Sequence, residues 1–241
     1  MIPPEAEVDT PGGQAFWDYA DLGLFITLSI VSLFLTLLLL RFVPFLHGLR
    51  DPYKLLVGQL IWYVIAFAWL FLILRTRYER PFWQSLGWLP PHVGQAVGSF
   101  AMGPILAISL GLIGAAMRTP QMRLPFEGML NTPSIILLFG LLIVVIGPLC
   151  EELAFRGFIM PLLIRSLGAA AGIAITAALF GMLHGFEYPD WRPVVLIGAA
   201  GAVFGWRRYR TGSTVNSTLM HAGFNATQFA GLLAAQHAHL R

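Results

Sequence analysis

The chain has 241 residues, of which 57% are apolar and only 11% are charged. Soluble domains average roughly 45–50% apolar and 25% charged residues, so this composition excludes an ordinary soluble protein and predicts a membrane protein. The formal net charge is +3. Because the basic residues lie between apolar blocks, they indicate loops at a lipid surface rather than a nucleic-acid-binding surface. The single cysteine permits no internal disulfide.

The apolar residues form separate blocks, and several of these reach the length of about 20 residues that a helix needs to cross a hydrocarbon core. The blocks predict an all-α, polytopic transmembrane bundle of about seven spans, within a range of six to eight. An acidic tail precedes the first block, which lacks the basic start of a cleaved signal peptide, so we expect this block to stay in the protein. The expected spans are residues 22–43, 55–74, 94–117, 134–158, 168–186, 193–207 and 213–235.

Two segments divide the predicted bundle. Residues 1–133 would supply the acidic tail and three spans, and residues 134–241 a core of four spans, in one integral membrane unit. The connector RTRYERPFWQSLGWLPPH, residues 75–92, is rich in Arg, Trp and Pro and is typical of the headgroup zone. The basic loop residues divide equally between the two sides, and only the acidic start of the first span favours an external N-terminus.

Polar residues inside the predicted spans are the strongest functional signal. An ionisable group costs at least about 2.5–3.5 kcal/mol at the centre of a membrane helix and usually marks function. Three of the last four spans carry such groups. They are Glu151, Glu152 and Arg156 in the fourth span, His184 in the fifth, and His221 with Asn225 in the last.

The spacing of the first group predicts different surroundings for its two carboxylates. Glu152 and Arg156 stand four residues apart on one helical face, with the acid placed first, which is the better orientation for an ion pair. Glu151 is turned about 100° away, so its carboxylate is available to face another group. A carboxylate at low dielectric suits a general base that works near neutral pH.

The turn near Ser166–Gly168 predicts that the fourth and fifth spans form a hairpin, which brings Glu151 and His184 to the same depth. Four-residue spacing places His221 and Asn225 on one side of the last span. Together these groups predict an intramembrane hydrolytic cavity, in which a carboxylate and a histidine activate water while the amide and the other histidine hold an oxyanion. Each feature also has a structural alternative: a Glu–Arg lock, a histidine bonded to a backbone carbonyl, or packing of Phe180 against its neighbours.

Three motifs in this segment match a known family. They are E-E-x-x-x-R in "EELAFRG" (Glu151, Glu152, Arg156), F-x-x-x-H in "FGMLH" (Phe180, His184) and H-x-x-x-N in "HAGFN" (His221, Asn225). Over roughly residues 134–235 the chain resembles the CPBP family, also called the Abi family. This family comprises type II CAAX prenyl endopeptidases and bacteriocin-processing or immunity proteins.

The resemblance implies an intramembrane endopeptidase that acts on a membrane-associated peptide, possibly a prenylated C-a-a-X tail. It implies that Glu151, helped by His184, activates water, that His221 and Asn225 form the oxyanion hole, and that Glu152 and Arg156 support them, with Phe180 at the cavity wall. It also implies a multi-pass protein of the cytoplasmic membrane of a prokaryote. Lipid and a lipidated or membrane-anchored substrate are the expected partners, without nucleic acid.

A metal-free mechanism is expected, with zinc as the alternative. The zincin signature H-E-x-x-H is absent from the sequence. Zinc would need three protein ligands, and Glu151, His184 and His221 supply them only if their atoms approach about 2.0–2.2 Å from one point. Two other classes remain as alternatives to the protease: a non-proteolytic immunity or scaffold protein, and a transporter with an intramembrane proton relay.

Overall fold

The computed structural model describes residues 15–120, 126–185 and 190–239, with the side chains of residues 237 and 239 left out. The acidic tail, predicted as part of the segment 1–133, therefore lies largely outside the described residues. Within the described ranges the regular structure is helical, and seven long helices follow one another in the chain. They are α1 (Tyr19–Phe42), α2 (Asp51–Tyr78), α3 (Val93–Ala116), α4 (Pro133–Leu167), α5 (Ala169–His184), α6 (Trp191–Thr211) and α7 (Thr214–His239).

Four of the helices in the described residues, α1 to α4, are long and apolar enough to cross a membrane. Helix α5 is apolar but has only 16 residues, and α6 and α7 carry more polar residues. The predicted fold class, an all-α polytopic membrane bundle, is confirmed. The number of spans, predicted as about seven, stays a prediction for the last three helices.

Local sequence signals explain where several helices begin. The Asp18 carboxylate accepts from the backbone N–H of Asp21 at 3.0 Å, and the Asp21 side chain accepts from the N–H of Asp18 at 3.1 Å, a reciprocal capping box at the start of α1. Thr132 caps α4, which has a proline at its first position, where the missing N–H costs nothing. Asp190 caps α6 through the N–H of Arg192.

Helix α4 is not a regular α-helix. Two stretches, Leu142–Ile146 and Leu153–Ile159, are wound as π-helix, and they flank the short α-helical segment Gly147–Glu152. A π-turn leaves backbone carbonyls without their usual partner four residues on and is frequent at functional sites. The two acidic residues of the E-E-x-x-x-R motif therefore lie on a short α-helical segment between two π-helical stretches of the same helix.

Glycines allow close backbone contacts between two pairs of helices. A Cβ atom on Gly103 of α3 would lie 2.4 Å from the Met220 carbonyl oxygen of α7, and one on Gly181 of α5 would lie 2.6 Å from the Val194 carbonyl oxygen of α6. In lipid, helices associate through this kind of close backbone approach because burial of apolar surface gives little driving force there. The two crossings hold α3 against α7 and α5 against α6.

The connector between α2 and α3 is tied to the turn between α6 and α7. Its Leu86 carbonyl oxygen accepts from the Thr214 hydroxyl at 2.6 Å, and its Gly87 carbonyl oxygen accepts from the Thr214 N–H at 2.8 Å. Gly87 has a φ of +67°, and a side chain there would meet the guanidinium group of Arg208. These hydrogen bonds join the connector between α2 and α3 to the turn between α6 and α7.

Candidate active site

The predicted hairpin between α4 and α5 forms at Gly168, whose φ of +82° suits a residue without a side chain. On α5 no side chain can stand at Gly172 without meeting the backbone of Ile164, since a Cβ there would lie 2.7 Å from its nitrogen. The hairpin places the last turn of α5, with His184, against the polar segment of α4.

The carboxylate of Glu152 is completely buried and is held by two cationic or polar groups. Its Oε1 accepts from Nη1 of Arg156 at 2.8 Å, and it lies 3.1 Å from Nδ1 of His221. The same guanidinium group donates through Nη2 to the carbonyl oxygen of Gly201 at 2.7 Å. Because a buried carboxylate is costly unless it is paired and hydrogen-bonded, these contacts are what allow Glu152 to lie there.

Aromatic rings enclose the guanidinium group of Arg156. Its Cζ lies 4.6 Å from the ring centre of Phe180, 5.5 Å from that of Phe204 and 5.8 Å from that of Phe155. A desolvated cation over aromatic faces gains further electrostatic stabilisation, of about 2 kcal/mol in favourable cases. Arg156 therefore joins α4, α5 and α6 through both its hydrogen bonds and its ring contacts.

Glu151 has a different environment from its neighbour. A quarter of the Glu151 side chain is accessible, whereas Glu152 is fully buried. The Oε2 atom of Glu151 lies 3.7 Å from Nε2 of His221. His221 thus stands between the two carboxylates, with Nδ1 facing Glu152 and Nε2 facing Glu151. Helical spacing places Glu151 and Glu152 on different faces of α4, but it does not predict that one imidazole contacts both carboxylates.

The ring nitrogens of His184 have distinct roles. Its Nδ1 lies 2.9 Å from the backbone carbonyl oxygen of Phe180. A carbonyl only accepts, so Nδ1 carries the hydrogen and Nε2 of the neutral ring is a proton acceptor. Within the described residues no hydrogen bond or ion pair joins His184 to Glu151 directly.

The ring of Phe180 connects the two histidines. It lies 4.6 Å from the ring of His184 and 5.8 Å from that of His221, measured between ring centres. Phe180 itself is buried, at 2% exposure. The side chain therefore packs against both imidazoles and the guanidinium group, and it belongs to the wall of this cluster.

Asn225 lies one turn beyond His221 on α7, and its Nδ2 donates to the carbonyl oxygen of Ile143 at 2.8 Å. Ile143 belongs to the first π-helical stretch of α4. An amide NH₂ group has two hydrogens, so this bond orients the Asn225 side chain and leaves one hydrogen for another acceptor.

Phe204 of α6 is a member of the cluster that the sequence motifs do not reveal. Its ring stacks on the imidazole of His221, with centres 4.5 Å apart and an angle of 21° between the planes. It is buried, and it is flanked by ordinary apolar residues in "AVFGW". No pattern in the sequence distinguishes it from a core phenylalanine.

The alternative zinc set does not form as the side chains are arranged here. Among the side chains that the structure describes, no group of three or more His, Cys, Asp or Glu residues could hold a metal ion. The 3.7 Å contact joins Glu151 and His221, whereas no contact in the described residues brings Nε2 of His184 to either of them. The side chains as the structure describes them do not form the three-ligand set, and the metal-free mechanism stays a prediction.

The fold and this cluster define a polytopic α-helical membrane protein whose carboxylate, imidazole, guanidinium and amide groups meet between helices of the bundle. Residues 133–227 match the family model described as "Type II CAAX prenyl endopeptidase Rce1-like". No curated protein and no solved structure matches the chain. The chain therefore carries an Rce1-like domain consistent with the CPBP family, as the three motifs predict. This supports an integral membrane protease of the CAAX type, in a lipid environment and with a membrane-associated substrate.

Proposed function

We propose that the protein is an intramembrane endopeptidase in which Glu151 is the general base that activates water for peptide hydrolysis. The observation that carries this proposal is the contrast between adjacent carboxylates. Glu152 is buried and neutralised by Arg156, whereas Glu151 is partly accessible and has no arginine partner in the described residues. A carboxylate that is not held in a short ion pair with a permanently charged arginine remains able to accept a proton.

In the proposed reaction, Glu151 takes a proton from water while the water oxygen attacks the carbonyl carbon of the scissile bond. The resulting oxyanion accepts hydrogen bonds from the second N–H of Asn225 and from Nε2–H of His221 in its imidazolium form. The proton on Glu151 then passes to the leaving nitrogen and the C–N bond breaks. The products are an amine and a carboxylic acid, and the remaining proton of the acid passes to the amine, which leaves a carboxylate and an ammonium group.

The supporting residues have definable roles in this scheme. Glu152 keeps a hydrogen on Nδ1 of His221 and stabilises its positive charge, and Arg156 holds Glu152 in place. Nε2 of His184 is an acceptor and would help to orient the attacking water. With His221 protonated, the charges of Glu151, Glu152, Arg156 and His221 sum to zero, which suits a site inside a membrane.

The family match and the membrane setting support a proposed substrate class. We propose a peptide or protein held at the membrane by a lipid or a helix, with a prenylated C-a-a-X tail as the specific candidate. The cytoplasmic membrane of a prokaryote is the proposed location.

The direct test uses the purified protein in detergent and a set of membrane-anchored peptides, with and without a prenyl group. We expect cleavage at one peptide bond, detected by the mass of the two products. Binding of a peptide without any cleavage would instead favour a scaffold or immunity role. Proton-coupled uptake into vesicles without cleavage would favour a transporter.

His184→Ala is expected to lower kcat by about 10²-fold or more, because it removes the acceptor that orients water. Phe180→Leu, which keeps an apolar wall, is expected to lower kcat by less than about tenfold. The measurement is steady-state cleavage of one membrane-anchored peptide by both variants. An unchanged kcat in His184→Ala would contradict the role given to this imidazole.

Strong chelation is expected to leave cleavage unchanged. The physical reason is that no described set of three ligands converges on one point. The protein is incubated with a zinc chelator, freed of it by gel filtration, and assayed with and without added Zn²⁺. Loss of activity that Zn²⁺ specifically restores would contradict the metal-free mechanism.

A further inference from the structure

Tyr63 of α2 approaches α4 at the turn that precedes Glu151. A Cβ atom built on Gly147 would stand 3.7 Å from Oε1 of Glu151 and 3.9 Å from the hydroxyl oxygen of Tyr63. Both oxygens therefore border one small space beside Gly147. The Cβ would also lie 3.1 Å from the carbonyl oxygen of Leu142, so a side chain at residue 147 would crowd this space.

The two oxygens of the Glu151 carboxylate face different groups. Oε2 lies 3.7 Å from Nε2 of His221, and Oε1 borders the space that the Tyr63 hydroxyl also borders. The carbonyl oxygen of Ile143, which orients the Asn225 amide, belongs to the turn before Gly147 on the same helix. Tyr63 thus brings a hydroxyl group from α2 to the side of Glu151 that His221 does not occupy.

The ring of Tyr63 has a packing role that does not require its hydroxyl group. The side chain is half-buried, stacks on Trp62 with ring centres 5.4 Å apart, and packs against the apolar cluster of Leu56, Leu130, Ile135, Phe139 and Leu142. Phenylalanine would fill the same volume. A phenol, however, supplies a hydrogen-bond donor, and a carboxylate or a water bound to it is an acceptor.

We propose that Tyr63 is a further catalytic residue of this site, whose hydroxyl group hydrogen-bonds to the water that Glu151 deprotonates. The inference rests on the proposed role of Glu151. During the step the proton moves from water to Oε1 of Glu151, and Tyr63 keeps its own proton and holds the water oxygen in line with the substrate carbonyl. Tyr63 lies outside residues 133–227, so the family match assigns it no role.

The test is Tyr63→Phe, with Tyr53→Phe as the matched control. Both tyrosines lie on α2, are half-buried and pack against the same apolar cluster, but they stand ten residues or about 15 Å apart along the helix. We expect Tyr63→Phe to lower kcat by about 10- to 100-fold, the loss expected for one hydrogen bond to a charged or reacting group. KM should change by less than about twofold, and Tyr53→Phe should leave both constants unchanged.

Thermal unfolding of both variants is measured beside the kinetics, since the ring is retained and the unfolding temperature should not move. A kcat of Tyr63→Phe within about twofold of the wild type overturns the assignment. So does an equal loss in the two variants, or a loss that accompanies a lower unfolding temperature, because each of these indicates packing alone. If the wild type cleaves the peptide and Glu151→Gln abolishes cleavage, the proposed function is upheld, whatever the result for Tyr63→Phe. The two proposals can therefore fail separately.

Discussion

Glu151→Gln is expected to reduce cleavage by at least about 10³-fold while leaving the folded protein intact. Glutamine has nearly the shape of glutamate but cannot accept a proton at neutral pH, and general-base catalysis contributes about 10² to 10⁴ in rate. A quarter of the Glu151 side chain is accessible and its nearest imidazole contact is 3.7 Å away, so little packing depends on its charge. Single-turnover cleavage of a membrane-anchored peptide measures the loss.

A suitable control for this variant is Glu79→Gln, which makes the same chemical change at an exposed residue after the end of α2. It should retain wild-type activity. If Glu151→Gln keeps more than about a tenth of the wild-type rate, Glu151 is not the base. The difference in burial between Glu151 and Glu152 would then not identify a catalytic group.

Arg156→Met is expected to destabilise the protein by about 3–5 kcal/mol, the usual cost of removing one partner from a buried ion pair. Glu152 would remain completely buried without its closest cation, and the contacts with Nδ1 of His221 and with the Ser217 side chain would have to offset its charge. The bond from Arg156 to the carbonyl oxygen of Gly201 and the contacts with three aromatic rings would be lost as well. Unfolding in detergent, followed by denaturant titration, measures the loss.

A double variant separates the charge from the packing. In Glu152→Gln/Arg156→Met neither charge remains, so we expect much of the stability lost in Arg156→Met to return. Cleavage should stay low in both proteins: in Arg156→Met the carboxylate of Glu152 is no longer held in place by the guanidinium group, and in the double variant Nδ1 of His221 has no carboxylate partner. Wild-type stability in Arg156→Met, or no recovery in the double variant, would show that this ion pair is not what holds the cluster together.

Together these results would separate two functions of neighbouring residues. Glu151 and the groups around the proposed water would control the rate, while Glu152 and Arg156 would control stability and the state of His221. The aromatic rings of Phe180 and Phe204 lie against both sets. Their position explains how the catalytic groups and the ion pair can share one small volume between α4, α5, α6 and α7.

Composition and apolar periodicity were sufficient to predict an all-α membrane bundle, because a chain in lipid must satisfy its backbone hydrogen bonds within helices. The cost of polar groups inside apolar segments was sufficient to single out Glu151, Glu152, Arg156, His184, His221 and Asn225. Four-residue spacing also foresaw that Glu152 pairs with Arg156, since both lie on one helical face.

Contacts between distant segments were decided only by the tertiary structure. Periodicity describes one helix at a time, so it could not foresee that His221 stands between both carboxylates, that Phe204 stacks on it, or that Tyr63 reaches the turn before Glu151. Periodicity also did not predict the two π-helical stretches that flank the segment with Glu151 and Glu152. The glycine crossings set how closely α3 approaches α7 and α5 approaches α6. The sequence determined which groups are expensive to bury, and the packing of the helices decided which of them meet.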